Sequence, residues 1–167
     1  MSGEFIQVPV IGVVVDGHSG QLDDFKGGVE SIIRLRPDYP VESLQGVDEF
    51  SHLQVIWHFS KARPEDVALH ARSPRDNPDW PATGTFAHHN HRRPPQLGVS
   101  FPRLLRIDGL DLHVTDLDAD DGTPIVDLVV VFKEMLPRGT VTQPSWPTEM
   151  LGSYWADANQ RPGTAEI

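Results

Sequence analysis

Between Phe86 and Ser100 the chain reads Phe-Ala-His-His-Asn-His-Arg-Arg-Pro-Pro-Gln-Leu-Gly-Val-Ser, the densest run of chemically able side chains in the sequence. Nine polar or proline residues separate Ala87 from Leu97 without helical or strand period, so the segment is expected to be a loop. Pro94 and Pro95 fix their own φ and remove two backbone donors, which stiffens it. His88, His89 and His91 supply imidazoles, and Arg92 and Arg93 supply guanidiniums. Stiff loops carrying such groups suit the rim of a binding site.

Those imidazoles raise the question of a metal. Adjacent side chains of an extended backbone diverge, so His88 and His89 do not aim at one ion. His89 and His91 could converge, with Asp121 or Asp127 as a third ligand, but no recognised ligand spacing supports this. Hydrogen-bonding imidazoles at a pocket rim are the preferred reading, and no metal is assigned. Asp127 stands in the continuously apolar run Ile125–Phe132, where a buried carboxylate must find partners or titrate upward. Its expected role is to accept from loop amides, with service as a base the sharper alternative. His52, on a half-polar strand face, poses the same choice between a satisfied core histidine and a base.

The elements that must position these residues are mostly strands. Phe5–Val15 reads as a strand ending at Asp16-Gly17, and Val29–Leu35 alternates with Val29, Ile33 and Leu35 on one face. A helical turn is expected at Val41–Gln45. Phe50–Ser60 places Leu53, Val55, Trp57 and Phe59 on one face; the opposite face, with His52, Gln54, Ile56 and His58, is expected to line a cavity. A short helix is expected over Pro64–Ala71. Val99, Phe101, Leu105 and Ile107 should share a face before the hairpin signal Asp108-Gly109, after which Leu110, Leu112 and Val114 continue. Ile125–Phe132 is the expected central strand, and a short helix should start near Pro147. Strands roughly every ten residues suggest a mainly β, closed or nearly closed antiparallel structure.

Composition sets the outer bounds. A chain of 167 residues is long enough for one well-buried domain. It has no cysteine, which removes thiolate chemistry and disulfides. No apolar run is long enough to cross a bilayer and the first residues lack a signal-peptide pattern, so a cytoplasmic protein without membrane contact is expected. The net charge of −10 argues against a strong non-specific nucleic-acid binder. Yet Lys61–Arg106 holds eight bases against four acids, while Asp108–Glu134 holds eight acids against Lys133 alone. A local basic patch of Arg92, Arg93, Arg103 and Arg106 is therefore compatible with the total. Gly-x-Gly-x-x-Gly, P-loop, His-Glu-x-x-His and Gly-x-Ser-x-Gly motifs are all absent.

Three stretches together resemble one family. Phe50-Ser51-His52-Leu53 is similar to the Phe-Ser-His-Leu strand of the TrmO family, also called TsaA-like or YaeB-like. Phe86, Ala87, Arg93, Pro94, Gly98 and Ser100 match its Phe-Ala-Thr-Arg-Ser-Pro-x-Arg-Pro-Asn-Pro-Ile-Gly-Leu-Ser loop, with His88-His89-Asn90-His91 standing where that family has Thr-Arg-Ser-Pro. Asp118–Leu128 resembles its Asp-Ala-Leu-Asp-Gly-Thr-Pro-Val-Leu-Asp-Ile segment. The resemblance implies a single β-barrel domain over 1–136 with a C-terminal extension over 137–167 that packs on it or is partly flexible, and a homodimer. It also implies S-adenosyl-L-methionine as cofactor, and N6-methylation of threonylcarbamoyladenosine at tRNA position 37.

On that model the cofactor is held by Phe86, His88, Arg93, Leu97, Gly98 and Ser100, with the Asp121-Gly122-Thr123 turn. Arg93 would pair the cofactor carboxylate, and Phe86 or Leu97 would pack its adenine. The backbone at Gly98 and Gly122 would approach it closely. His52, His89, His91 and Asp127 are the candidates for proton transfer or electrostatic help. Two other readings use the same scaffold: a small-molecule methyltransferase, and a non-catalytic cofactor- or metal-binding module.

Overall fold

The computed structural model describes residues 3–20 and 22–161. Seven strands follow in chain order: β1 (Gly12–Val15), β2 (Glu30–Leu35), β3 (Leu53–His58), β4 (Leu97–Ser100), β5 (Arg103–Asp108), β6 (Asp111–Thr115) and β7 (Pro124–Val130). They form one antiparallel sheet in the order β4-β3-β7-β1-β2-β6-β5. The expected central strand, β7, sits between β3 and β1. The two ends of the order approach each other. Leu53 N–H donates to Pro102 O at 3.1 Å and Leu104 N–H to Ser51 O at 2.9 Å, around an isolated His52–Arg103 bridge. The sheet is thus coiled and barrel-like, joined at one corner rather than by a full closing ladder.

Alternation makes the core. Ile33, Leu35, Leu53, Val55, Trp57, Leu112 and Val114 point inward from β2, β3 and β6 and are buried, together with Leu117 and Ala119 from the turn after β6. Burying such side chains contributes roughly 1.5–3 kcal/mol each. The helical turn expected at 41–45 is present as a 3-10 turn over Val41–Leu44, with Leu44 in the core. Beyond β7 lies a short helix, α1 (Ser145–Met150), whose Trp146 is buried.

Four local expectations are corrected. The first strand begins only at Gly12; Phe5, at 90% exposure, and Ile6, Val8 and Val10 are solvent-facing. Pro9 has no N–H for a ladder, and pairing with β7 starts where Ile11 N–H meets Ile125 O at 2.8 Å. Only Pro64–Asp66 of the expected helix at 64–71 is helical, as one 3-10 turn. In β5 the pairing shifts between Leu104 and Arg106, so Leu104 and Ile107 pack on the core while Leu105 is exposed, as are Val99 and Phe101. In β7 the same device acts: Ile56 pairs with Asp127 and Trp57 with Ile125, leaving Val126 as the extra residue. A bulge reverses the parity of the pleat. Asp127 is consequently exposed rather than buried, its Oδ1 accepting from Leu128 N–H at 2.9 Å.

Candidate functional site

The core stripe of β3 continues past its own strand. Trp57 and Phe59 lie on that face at the C-terminal end of β3, their rings edge-to-face with centroids 4.4 Å apart. They form the apolar wall of a cleft of about 310 Å³, within the size range of small-molecule sites. The remaining walls come from the 22–26 loop, from Ser60–Ala62 and Asp66, from His91, and from Asp118, Asp120 and Thr123. The face of β3 expected to line a cavity, with Gln54, Ile56 and His58, does not border it.

Trp57 anchors a chain of hydrogen bonds that fixes the cleft's shape. Its Nε1–H donates to Ser100 Oγ at 2.9 Å, and the Ser100 hydroxyl donates to Asp118 Oδ1. The other oxygen of that carboxylate accepts from the Tyr154 hydroxyl. Burial, then the Asp118 charge, pushes the Tyr154 phenol above its ordinary value, so it remains a donor. Gly98 belongs to the same assembly. A Cβ there would lie far inside contact with the Trp57 indole, so glycine at this position makes room for the ring.

The cleft carries charge of both signs. Asp23, Asp66, Asp118 and Asp120 line it against Lys26 and Lys61. Lys61 pairs with Asp120 at 2.9 Å, and Asp66 is bound by Arg63 through its backbone N–H at 2.8 Å and Nη2 at 3.1 Å. Lys26 is buried without a carboxylate partner among the described residues. Behind this wall His18 is buried, its Nε2 making no hydrogen bond among the described residues. Burial first and the Lys26 charge second hold its imidazole below the ordinary value, against the pull of Asp120 and Asp118. Aromatic faces, four carboxylates against two ammonium groups, and a Lys26 ammonium without a carboxylate partner among the described residues together suit a flat, zwitterionic ligand with a net positive charge.

The residues singled out from sequence are dispersed. His91 and Thr123 line the cleft, and Ser100 and Gly98 brace it from behind. Arg93 spends its Nη2 on Leu97 O, while its Nε is buried and makes no hydrogen bond among the described residues. Leu97 is half-buried in β4. His88 is buried elsewhere, its Nε2 bonded to Thr83 Oγ1 at 3.0 Å and its ring 6.4 Å from that of Trp146. Phe86 is 79% exposed and His89, Asp121 and Gly122 are also exposed. His52 is exposed, with Ser51 Oγ 2.8 Å from its Nδ1, and Asp127 lies on the outer face of the sheet. Among the described residues no group of His, Asp and Glu is arranged to hold a metal.

Sequence reasoning missed Lys26, Trp57, Phe59, Lys61, Asp118, Asp120 and Tyr154. Some signal existed. Asp118 and Asp120 flank Ala119 at a spacing that points both the same way, and Trp57 and Phe59 prolong the apolar stripe of β3. Lys26 and Tyr154 had none, because each reaches the site from a distant part of the chain.

Comparison with known proteins gives the chain its family. Residues 22–135 match the model of the tRNA-methyltransferase O N-terminal domain. A Pyrococcus abyssi protein named "Probable S-adenosyl-L-methionine-binding protein" is 30% identical over 100 residues, covering 60% of this chain and 51% of its own. The Escherichia coli tRNA (adenine(37)-N6)-methyltransferase is 28% identical over 140 residues, 79% of this chain and 59% of that enzyme. The chain therefore spans between half and three-fifths of these two relatives. The crystal structure of TrmO from P. aeruginosa superposes with a TM-score of 0.67 at 19% identity, covering 86% of this chain and 62% of the other, and shares the fold. No helix among the described residues is long and apolar enough to cross a membrane. With its matched segment containing β2 to β7 and most of the cleft, the chain belongs to the tRNA-methyltransferase O N-terminal domain family.

Proposed function

We propose that the chain is an S-adenosyl-L-methionine-dependent methyltransferase acting on N6 of the adenine, in its threonylcarbamoyl form, at tRNA position 37. The observation that carries this reading is the convergence of two family motifs on one cleft. Ser100, from the first, bonds to Asp118, from the second, directly behind the Trp57–Phe59 wall. The names of the relatives supply the cofactor and the acceptor.

The residues present fit the cofactor. It supplies a methyl group bound to a sulfonium centre. Trp57 and Phe59 offer π faces to the adenine and to positive charge. Lys26, without a carboxylate partner among the described residues, would meet the cofactor carboxylate, a role first expected of Arg93. Asp118 and Asp120 offset ammonium and sulfonium charge. In-line displacement asks the protein mainly for alignment and exclusion of water, which suits a chain without a cysteine thiol. His91 lines the cleft, half-buried with its ring 6.1 Å from that of Phe59, and is the histidine proposed to take the acceptor's proton.

Acceptor and assembly follow the same reading. Arg92, Arg103 and Arg106 are not engaged by carboxylates among the described residues, and Arg72, near Arg92, donates only to Ala68 O and Asn90 Oδ1. These are the proposed phosphate contacts, with Arg93 held back by Leu97. The exposed Val99, Phe101, Val129 and Phe132 support a homodimer through the outer face of the sheet. A cytoplasmic site of action accords with a tRNA substrate. The extension from 137 to 161 is proposed to belong to the working domain, while 162–167 of the expected 137–167 extension lie outside the described residues.

The test is incubation with methyl-labelled S-adenosyl-L-methionine and separate tRNA and small-metabolite fractions. Label in tRNA, lost when position 37 is not adenine, supports the reading. Label confined to metabolites moves the acceptor to a small molecule, as the acidic cleft lining would favour. No cofactor binding by calorimetry refutes it.

A further inference from the structure

The segment after α1 lies beyond the family match, which ends at residue 135, yet it touches both walls of the cleft. Phe25 N–H donates to Ser153 O at 3.1 Å and Lys26 N–H to Tyr154 O at 2.8 Å. Gly27 then bridges Asp157 in parallel register. Gly27 has no room for a side chain, and Gly28 sits at φ +73°, where a side chain is strained. A Cβ on Gly27 would strike Trp155 O, and one on Gly28 would lie 2.6 Å from Asp157 Oδ1. The loop carrying Leu22, Asp23 and Lys26 into the cleft is therefore clamped by residues 153–157. Across the cleft, the Tyr154 hydroxyl bonds to Asp118, whose other oxygen is already held by Ser100.

One residue thus acts on two walls. The Tyr154 carbonyl holds the backbone of Lys26, which brings an ammonium to the cleft, and its phenol holds Asp118, the carboxylate. Both hydroxyl donors on Asp118 point at the carboxylate, so its orientation and its acceptor capacity are fixed before any ligand arrives. A side chain locked by two donors loses little freedom on binding.

We propose that the C-terminal strap Ser153–Asp157 is a structural part of the cofactor site, and that Tyr154 is a positioning residue which sets Asp118 and Lys26 for a zwitterionic, positively charged nucleoside. The inference rests on the cofactor reading above and adds, behind the lining residues, a brace that the family domain, as matched, does not contain.

The experiment is calorimetric titration of the full chain with S-adenosyl-L-methionine, for the unaltered protein, Tyr154→Phe, Asp118→Asn and the double variant. Tyr154→Phe keeps the ring and the backbone contact to Lys26 but removes the hydroxyl. Its Kd should rise about tenfold, as for the loss of one hydrogen bond to a charged group. In the Asp118→Asn background the same substitution should change Kd less than twofold, because the bond it removes has lost its charged acceptor. A role confined to docking the strap would give equal effects in both backgrounds and overturns the proposal. Equal affinity of the unaltered and Tyr154→Phe chains also overturns it, while leaving the functional reading intact. No heat from the unaltered chain defeats the functional reading and this inference with it. Amide exchange without ligand reports the clamp separately. Phe25 and Lys26 should be protected in the unaltered chain and released by Gly27→Ala; free exchange at both in the unaltered chain overturns the clamp.

Discussion

The His-rich loop and the Asp118–Thr123 turn border the same cleft, but they spend their polar groups differently. In the loop most are consumed locally. His88 bonds to Thr83, Arg93 to Leu97 O, Asn90 to Arg72 and the Arg92 amide, and Gln96 Nε2 to Arg63 O at 2.9 Å and His91 O at 3.2 Å. At the turn, Asp118 is held from two sides and Asp120 from one, and both border open space. A segment can be rich in functional groups because they build the loop, and a poorer one can hold the ligand because its groups face outward into a void.

Substitutions should separate these roles. The largest effect is expected at the base of the loop. Gly98→Ala drives a methyl group into the Trp57 indole and should cost about 2 to 3 kcal/mol of stability, read from the urea midpoint. An unchanged midpoint would mean that the ring does not rest on Gly98. His88→Ala, which removes a buried imidazole and its bond to Thr83, should destabilise by about 2 kcal/mol yet leave cofactor affinity within twofold. Cofactor affinity that fell in step with stability would erase the contrast between the two regions.

Lys26→Met should do the reverse. Cofactor Kd should rise about tenfold, or ~1.4 kcal/mol, with stability held, because methionine keeps the buried stem and the Lys26 ammonium has no carboxylate partner to lose among the described residues. A large fall in the urea midpoint with unaltered Kd would return the carboxylate-binding role to another cation.

A pH series probes the wall behind the turn. The folded-state pKa of His18 lies below its ordinary 6.5, so the unfolded chain takes up that proton first as pH falls. Its contribution to stability is therefore complete above 6.5 and is lost on acidification from there through the depressed folded value. His18→Gln should flatten that limb of the stability curve; an unchanged limb would show that the imidazole is solvated. The smallest effect belongs to the loop's exposed tip, where His89→Ala should leave stability within about 0.5 kcal/mol.

The strands were legible because their burial has period two. Ile33 and Leu35, Leu53 and Val55, and Leu112 and Val114 are apolar at alternate positions and lie inward as that pattern requires. Two of the errors occurred where one extra residue reversed the period. Val126 turned Asp127 outward and the slip after Leu104 turned Leu105 outward, since a bulge depends on how a partner strand pairs. Phe86 misled for another reason: its neighbours Thr85 and His88 are buried while it is not, and nothing local distinguishes them.

By itself, the order of residues determined a mainly β chain, its inward stripes, and the three motifs that mark its family, because these depend on local period and on short runs read in place. Only the tertiary structure decided which charges face the cleft. Lys26, Trp57, Asp118 and Tyr154 come from four separate stretches, and their meeting depends on the coiling of the sheet and on the strap laid across Gly27. Whether a polar group is spent or left available is fixed by what packs against it, and a sequence does not show its long-range neighbours.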